Sequence, residues 1–324
     1  MLLPISHPDK VLFPDCGVTK GELCHYYEQL ASAILPHLRG RPLTLERFPA
    51  GIGQKGFVQK DVAKGFPEWL PRVAVDGRAR RAAGKDSTVH YALARDPRDL
   101  LWMANQNAVT LHVWASRVPA LDAPDCCVFD LDPTCDDAQA LARATLAVRD
   151  LLTELGLTSF VKTSGSKGFH VLAALDGRAS FEDTWRFSLG AGALLVQRFP
   201  KLFTQEFIKA DREDRIFIDT GRNSRGATFA AAYTVRAKPG APVSAPCTWS
   251  EIETGAIAPQ TFTLRTMPER LAQVGDLWTT MPESAQSLAA PLSEIERLLS
   301  EADWSEAHAA TTRRPSSRKR PTPR

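Results

Sequence analysis

The sequence predicts an α+β fold of mixed or antiparallel sheets flanked by helices. Segments of period 2 and period 3.6 are interspersed along 324 residues, many neighbouring strands read as hairpins, and 44% hydrophobic against 24% charged residues supplies a sizeable core. Hairpin neighbours argue against a doubly wound parallel sheet.

Taken in order, Thr19–Leu35 predicts the first helix, with Thr19 as cap and Leu23, Tyr26, Tyr27, Leu30 and Ile34 on one face. Arg41–Phe48 alternates as a strand, Gly51–Gly56 is a turn and Phe57–Lys60 a returning strand. A strand follows at Thr88–Leu93, then a helix at Leu100–Val109 and a strand at Leu111–Trp114. Asp125–Asp132 is a short apolar strand that ends in acids, and a helix runs from about Asp136 to Leu155, where Gly156 stops it. Ser159–Thr163 and Phe169–Ala174 are strands around a Gly/Ser/Lys turn, and Phe181–Phe199 is a second long helix. Arg215–Asp219 and Thr228–Val235 read as strands, and Pro239–Pro246 as an extended connector. Residues 1–290 are expected to form the main folded domain, 291–310 a helical segment and 311–324 a disordered basic tail.

Composition excludes fibrous and membrane-spanning classes, since no apolar run approaches the roughly 18–20 residues of a spanning helix. Met1–Lys10 lacks the pattern of a secretion signal, so a cytoplasmic protein with no membrane partner is expected. The net charge of +3 is unevenly placed. The last fourteen residues carry +6 with no acid, leaving 34 basic against 37 acidic residues elsewhere, a net −3. Such an arm suits either polyanion binding or simple solvation. The six cysteines form no paired C-x-x-C and read as reduced, small hydrophobes. Gly51, Gly53 and Gly56 satisfy G-x-G-x-x-G, but Phe57–Asp61 leads to Gly65 and Pro67, not to the helix that a dinucleotide site requires.

Three places carry chemistry. In Val128–Pro133, Asp130 and Asp132 lie two apart on a strand and share a face; such carboxylates repel unless a cation lies between them, and hard oxygen pairs suit Mg²⁺ or Mn²⁺. As caps for the next helix they are less well placed than Asp136 and Asp137. Asp219 ends another short apolar strand, so three acids from two strands could hold two ions. Between the strands at 159–163 and 169–174, Ser164, Ser166, two glycines and Lys167 offer hydroxyls, amides and a point charge to phosphate; a plain hairpin turn is the structural alternative, as a core imidazole is for His170. No Walker loop is present, because a strand follows.

These motifs, hDhDP at 128–133, S-G-x-K-G-h-H at 164–170 and Ile216–Asp219, resemble those of the archaeo-eukaryotic primase superfamily, and more closely the polymerase domain of bacterial ligase D. The resemblance spans roughly residues 5–285. It includes Asp9–Pro14, Thr19-Lys20, Arg41–Thr44, Leu111–Trp114, Asn223 and Tyr233–Arg236. It implies a primase-like catalytic core and a template-dependent nucleotidyltransferase that fills gaps or extends 3′ ends in break repair, with ribonucleotides favoured. Asp130, Asp132 and Asp219 are then the ligands of two Mn²⁺ or Mg²⁺ ions. Ser164, Lys167, His170, Arg212 and Arg236 contact the triphosphate, and His112 lies near its sugar. Lys10 and Lys20 grip a 5′-phosphate and Phe57 stacks on template, whereas Val58 stands where a second aromatic often follows and Thr110 where relatives often have Glu. The implied partners are DNA with gaps, breaks or overhangs, nucleoside triphosphates, an end-binding protein and a DNA ligase, in the bacterial nucleoid. The length leaves no room for ligase and nuclease modules, so a stand-alone paralogue or an isolated domain is expected. De novo priming and non-catalytic end bridging remain as alternatives; a glycosyltransferase would leave Asp219 and the Ser164–His170 turn without roles.

Overall fold

The computed structural model describes residues 3–62, 64–76 and 88–313. The chain starts with a hairpin of β1 (Val11–Phe13) and β2 (Val18–Thr19) that feeds α1 (Lys20–Gln29). Thr19 opens the helix with a capping box: its hydroxyl accepts from the Glu22 amide, and the Glu22 carboxylate accepts from the Thr19 amide. The single helix predicted over Thr19–Leu35 is instead two, with α2 at Ala31–Leu38. Tyr26 and Tyr27 donate their hydroxyls to the carbonyls of Tyr233 and Val109, 2.7 Å each, which fixes α1; a bend at Leu30 then lets Ile34 and Leu38 bury as well.

Next come β3 (Leu43–Arg47), β4 (Phe57–Gln59), β5 (Arg72–Asp76), β6 (Thr88–Ala92), α3 (Pro97–Asn105) and β7 (Ala108–Val113). The helix expected at Leu100–Val109 starts earlier, on an Asp96 cap with Pro97 in its first turn, and ends because Asn107 turns the chain at φ 60°. A small hairpin, β8 (Ser116–Arg117) and β9 (Ala120–Pro124), precedes β10 (Cys126–Pro133). There follow α4 (Ala138–Glu154), β11 (Ser159–Thr163), β12 (Phe169–Ala174), α5 (Phe181–Arg198), β13 (Phe203–Thr204), β14 (Ile216–Asp219) and β15 (Phe229–Ala230). The strand expected at Thr228–Val235 is interrupted: Phe229 and Ala230 pair with β7 and Val235 bridges to Val243, while Tyr233 between them takes φ 63° and its hydroxyl donates to Asp276 at 2.7 Å. The chain closes with β16 (Pro246–Cys247), α6 (Trp249–Glu253), α7 (Met267–Val274), α8 (Ala289–Leu298) and α9 (Glu301–Thr312). Thr311 and Thr312, assigned above to the tail, are therefore helical, and residues 314–324 of that tail lie outside the described residues.

Two sheets form. One has the order β13–β14–β10–β12–β11–β16, antiparallel except for β13 with β14; the other is antiparallel, β15–β7–β3–β6–β5, with β4 also on β3. Alternation along β10 decides what each face meets. Cys127, Phe129 and Leu131 pack in the core shared with α4 and α5, whereas Cys126 and Val128 join the core that includes the second sheet. Asp130 and Asp132 continue the second set, so both project into the cleft between the sheets. Leu288, Ile295, Leu299 and Ala307 of the C-terminal segment belong to the same core as α4 and α5.

The edge of β10 beyond Asp130 is closed by one side chain. Asn223 accepts from the Val128 amide at 2.8 Å and donates to the Val128 carbonyl at 2.7 Å, standing in for the strand residue that β14 no longer supplies. Asn223 is fully buried. Replacing it by Ala leaves a buried amide and carbonyl unpaired, so Asn223→Ala is expected to cost roughly 3 kcal/mol in urea denaturation. A loss below about 1 kcal/mol would contradict this account.

Candidate active site

Lys162 on β11, His170 on β12, Asp130 on β10 and Asp219 on β14 fall in one register row across four adjacent strands. Directly opposed residues point to the same face, about 5 Å apart, so the row is a line of charge across the cleft wall. Lys162 Nζ is 2.9 Å from His170 Nδ1, and His170 Nε2 is 3.2 Å from Asp130 Oδ1. Lys162 is wholly buried and also donates to the Ser244 hydroxyl, which donates onward to the Thr163 carbonyl. Burial, then the charge of Arg236, pushes the Lys162 ammonium well below its ordinary range. Burial and then Lys162 push His170 down to about 4. The imidazole is therefore neutral near pH 7, with Nδ1 accepting from Lys162 and Nε2–H donating to Asp130. Both ring nitrogens are thus engaged within the sheet.

The acids differ. Burial alone would raise the Asp130 carboxyl, but His170, followed by Arg222 and Lys162, holds it well below its usual value. Asp132, two residues on and without such a partner, is pushed up to about 6 by burial and then by Asp130 and Asp219. Asp219 is raised chiefly by burial, and its Oδ1 accepts from the Gly221 amide at 2.9 Å. Arg222, which the sequence reading passed over, lies against two of the three: its Nε is 3.2 Å from Asp130 Oδ2 and 3.1 Å from Asp219 Oδ2.

The Ser164–His170 turn is packed as tightly as it is bent. A Cβ on Gly168 would lie 1.6 Å from the Leu131 carbonyl oxygen, and one on Gly165, at φ 63°, 2.6 Å from Arg236 Cγ. The buried Ser164 hydroxyl accepts from the amides of Ser166 and Gly168, 3.1 Å each, so those amides are committed within the loop and the hydroxyl proton is left to donate. Lys167 is exposed at the tip. Arg236 donates to the Ser164 carbonyl and keeps a buried Nε with no partner. Arg212 stacks 3.6 Å over the ring of Phe217, the residue opposite Asp132, and is held by the carbonyls of Glu206 and Phe207.

Across the cleft, β3 and β7 turn Glu46, Thr110 and His112 inward, with Thr110 opposite Glu46. His112 Nε2 is 3.6 Å from Glu46 Oε2. A carboxylate thus reaches His112 from the neighbouring strand, at the place where the sequence shows Thr110. Burial lowers His112 despite this pull. Lys10 and Phe57 are exposed, whereas Lys20 is buried next to Lys10, its amide donating to the Lys10 carbonyl at 2.8 Å. Lys10 donates to the Pro49 carbonyl, and Lys20, buried, donates to Ser6 Oγ at 2.7 Å. The β3–β4 turn docks there through the Ile52 amide on the Leu12 carbonyl at 2.8 Å. Phe57 is 47% exposed and Val58 61%, so both present apolar surface to solvent.

Residues 19–278 match the family model described as "LigD, primase-polymerase domain". The chain belongs to this LigD primase-polymerase family. It is 34% identical over 282 residues to the multifunctional non-homologous end joining DNA repair protein LigD of Mycobacterium tuberculosis, covering 84% of this chain and 36% of that protein. With LigD of Pseudomonas aeruginosa it shares 33% over 294 residues, 89% of this chain and 34% of the other. The chain thus spans about a third of these curated relatives. Among solved structures, the polymerase domain of Mycobacterium tuberculosis ligase D in complex with DNA superposes with a TM-score of 0.80 at 33% identity, covering 88% of this chain and 99% of that one. The α+β architecture is that of the LigD polymerase domain, and among the described residues no helix is long and apolar enough to cross a membrane.

The donor set of this LigD-family site suits a hard divalent cation: three carboxylates on one face, with Asp132 and Asp219 raised by burial and then by the charge of Asp130. Among the described residues, however, no three His, Cys, Asp or Glu side chains already converge on one point as a metal cage. The guanidinium of Arg222 marks where positive charge is demanded.

Asp132 gives a pH signature. Its carboxyl titrates near 6 in the fold against roughly 3.9 unfolded, so the native state binds the extra proton between those values and stability falls as pH rises through that window. Asp132→Asn is expected to raise the melting temperature of the metal-free protein at pH 7.5, with the gain vanishing below pH 4. An equal effect at both pH values would show that Asp132 is not strained.

Proposed function

We propose that this chain is a template-directed nucleotidyltransferase that fills gaps or extends 3′ ends in DNA break repair, with ribonucleotides preferred. The observation that carries this reading is the in-register pair Asp130 and Asp219, with Asp132 beside them, on a cleft wall opposite and adjacent to Arg212, Arg236 and His112. Phosphoryl transfer asks for positioning and charge compensation, not for a protein nucleophile, and acids set against guanidinium groups provide that combination. Two Mg²⁺ or Mn²⁺ ions held by Asp130, Asp132 and Asp219 would supply activation of the primer 3′-hydroxyl and neutralisation of the leaving pyrophosphate.

The remaining roles fall to the chain's own groups. Arg236 and Ser164, already bonded to each other, bind the triphosphate with Lys167 from the loop tip, and Arg212 faces it from above Phe217. His112, neutral and beside Glu46, orients the sugar. His170 acts from behind: with both nitrogens engaged, it steadies Asp130 and reaches a phosphate only by releasing that carboxylate. Lys10 and Lys20 receive a 5′-phosphate across the gap, and exposed Phe57 stacks on template. An end-binding protein and a DNA ligase are the partners that the relatives' role in end joining suggests.

Primer extension on a gapped, 5′-phosphorylated duplex tests this, comparing ribo- and deoxyribonucleotides with Mn²⁺ and Mg²⁺. Asp130→Ala with Asp132→Ala is expected to lower incorporation by about 10³-fold or more. Activity that survives the double change removes the proposed site. Lys10→Ala with Lys20→Ala is expected to abolish the preference for phosphorylated over unphosphorylated gaps; an unchanged preference places the 5′-phosphate elsewhere.

A further inference from the structure

Asp130 and Asp219 are the directly opposed pair of β10 and β14, and like charges so placed destabilise a sheet unless something lies between them. Here that something is Arg222. Its single Nε donor is shared between Asp130 Oδ2 and Asp219 Oδ2 at 3.2 and 3.1 Å. The backbone that carries it is not free to drift: residues 221–223 form a 3₁₀ turn whose last residue, Asn223, is locked to Val128 on β10. The side chain is a different matter. It is 39% exposed, and beyond the shared Nε its only other bond among the described residues is a long one, 3.4 Å, to the Thr228 carbonyl. The turn is fixed while the guanidinium has an open side toward which to rotate.

We infer that Arg222 is a resident counter-cation of the carboxylate pair, which must leave before a divalent ion can be enclosed. The inference rests on the metal role proposed above for the three acids. It accounts for two observations together: the acids face one another, and they have not converged into a cage. A guanidinium satisfies the pair at about 3 Å, whereas a hard divalent ion demands oxygens at 2.0–2.6 Å, so the two cannot share the space. Occupation by Arg222 lowers metal affinity without abolishing it, because the ion binds only the fraction of molecules in which the arginine has moved aside.

The test is Mn²⁺ binding by the full chain, read as free Mn²⁺ by electron paramagnetic resonance, with no nucleotide or DNA present. Arg222→Gln is expected to bind Mn²⁺ about fivefold tighter or more than the parent, and Arg222→Lys to fall between, serving also should the Gln variant not fold. Unchanged or weaker binding in both overturns the inference. A second readout separates departure from simple repulsion at a distance: the Arg222 Nε–H resonance, assigned by its loss in Arg222→Gln, is expected to lose its protection from hydrogen exchange as Mg²⁺ saturates. A resonance that stays protected at saturation shows that the arginine remains in place, and refutes the proposal. Should the parent bind no Mn²⁺ that Asp219→Asn removes, the metal reading falls first, and this inference with it.

Discussion

Like charges brought into register are the constraint on which this protein is built. The antiparallel pairing of β10 with β14 sets Asp130 directly opposite Asp219, and the pleat adds Asp132 to the same face. Everything nearby reads as a response to that concentration of negative charge. Lys162 is carried fully buried into the sheet to pin a neutral His170, His170 spends its one N–H on Asp130, and Arg222 lies across the gap to Asp219. Asp132, left without a partner, holds its proton into mildly acidic solution. Carboxylates strained by burial and by one another in a cleft are the electrostatic pattern in which functional sites are concentrated.

Much of this was legible in the sequence, for physical reasons. The acids at 130, 132 and 219 end short apolar strands, where a carboxylate has no packing purpose, and the G-x-K-G turn between two strands announced a tight loop. The helices at 138–154 and 181–198 have strong caps and long periodic runs, and their limits fall close to expectation. What was not legible depended on contacts between distant segments. Nothing local foretells that α1 bends at Leu30, or that Tyr233 adopts a left-handed backbone that interrupts the strand expected through Val235; both go with hydroxyl bonds to residues far along the chain.

The two basic residues missed are instructive. Lys162 is the fourth of five residues in Ser159–Thr163, and alternation alone, which sets it opposite Val161, reads it as an ordinary solvent-facing lysine; only the pairing with His170 on β12 goes with its burial. Arg222 offered no signal either; an arginine in a Gly-Arg-Asn turn looks like solvent. Only the side-chain lock of Asn223 on Val128 fixes that turn beside the acids. Similarly, Thr110 looked like a deficit until the register placed Glu46 across from it and within reach of His112. Strand register moves functional groups between positions in the sequence while keeping them in one place in space.

That lock has a consequence for how the protein comes into being. Val128 and Asn223 are 95 residues apart, and Asp219 enters the charged row only when they meet. A chain emerging from the ribosome therefore displays Asp130 and Asp132 long before their opposing acid and Arg222 exist. During that interval the two carboxylates repel each other alone, without the third charge that Asp219 adds. The strain that Asp219 adds to the centre is thus imposed only when β14 pairs with β10, after β11 and β12 have been synthesised.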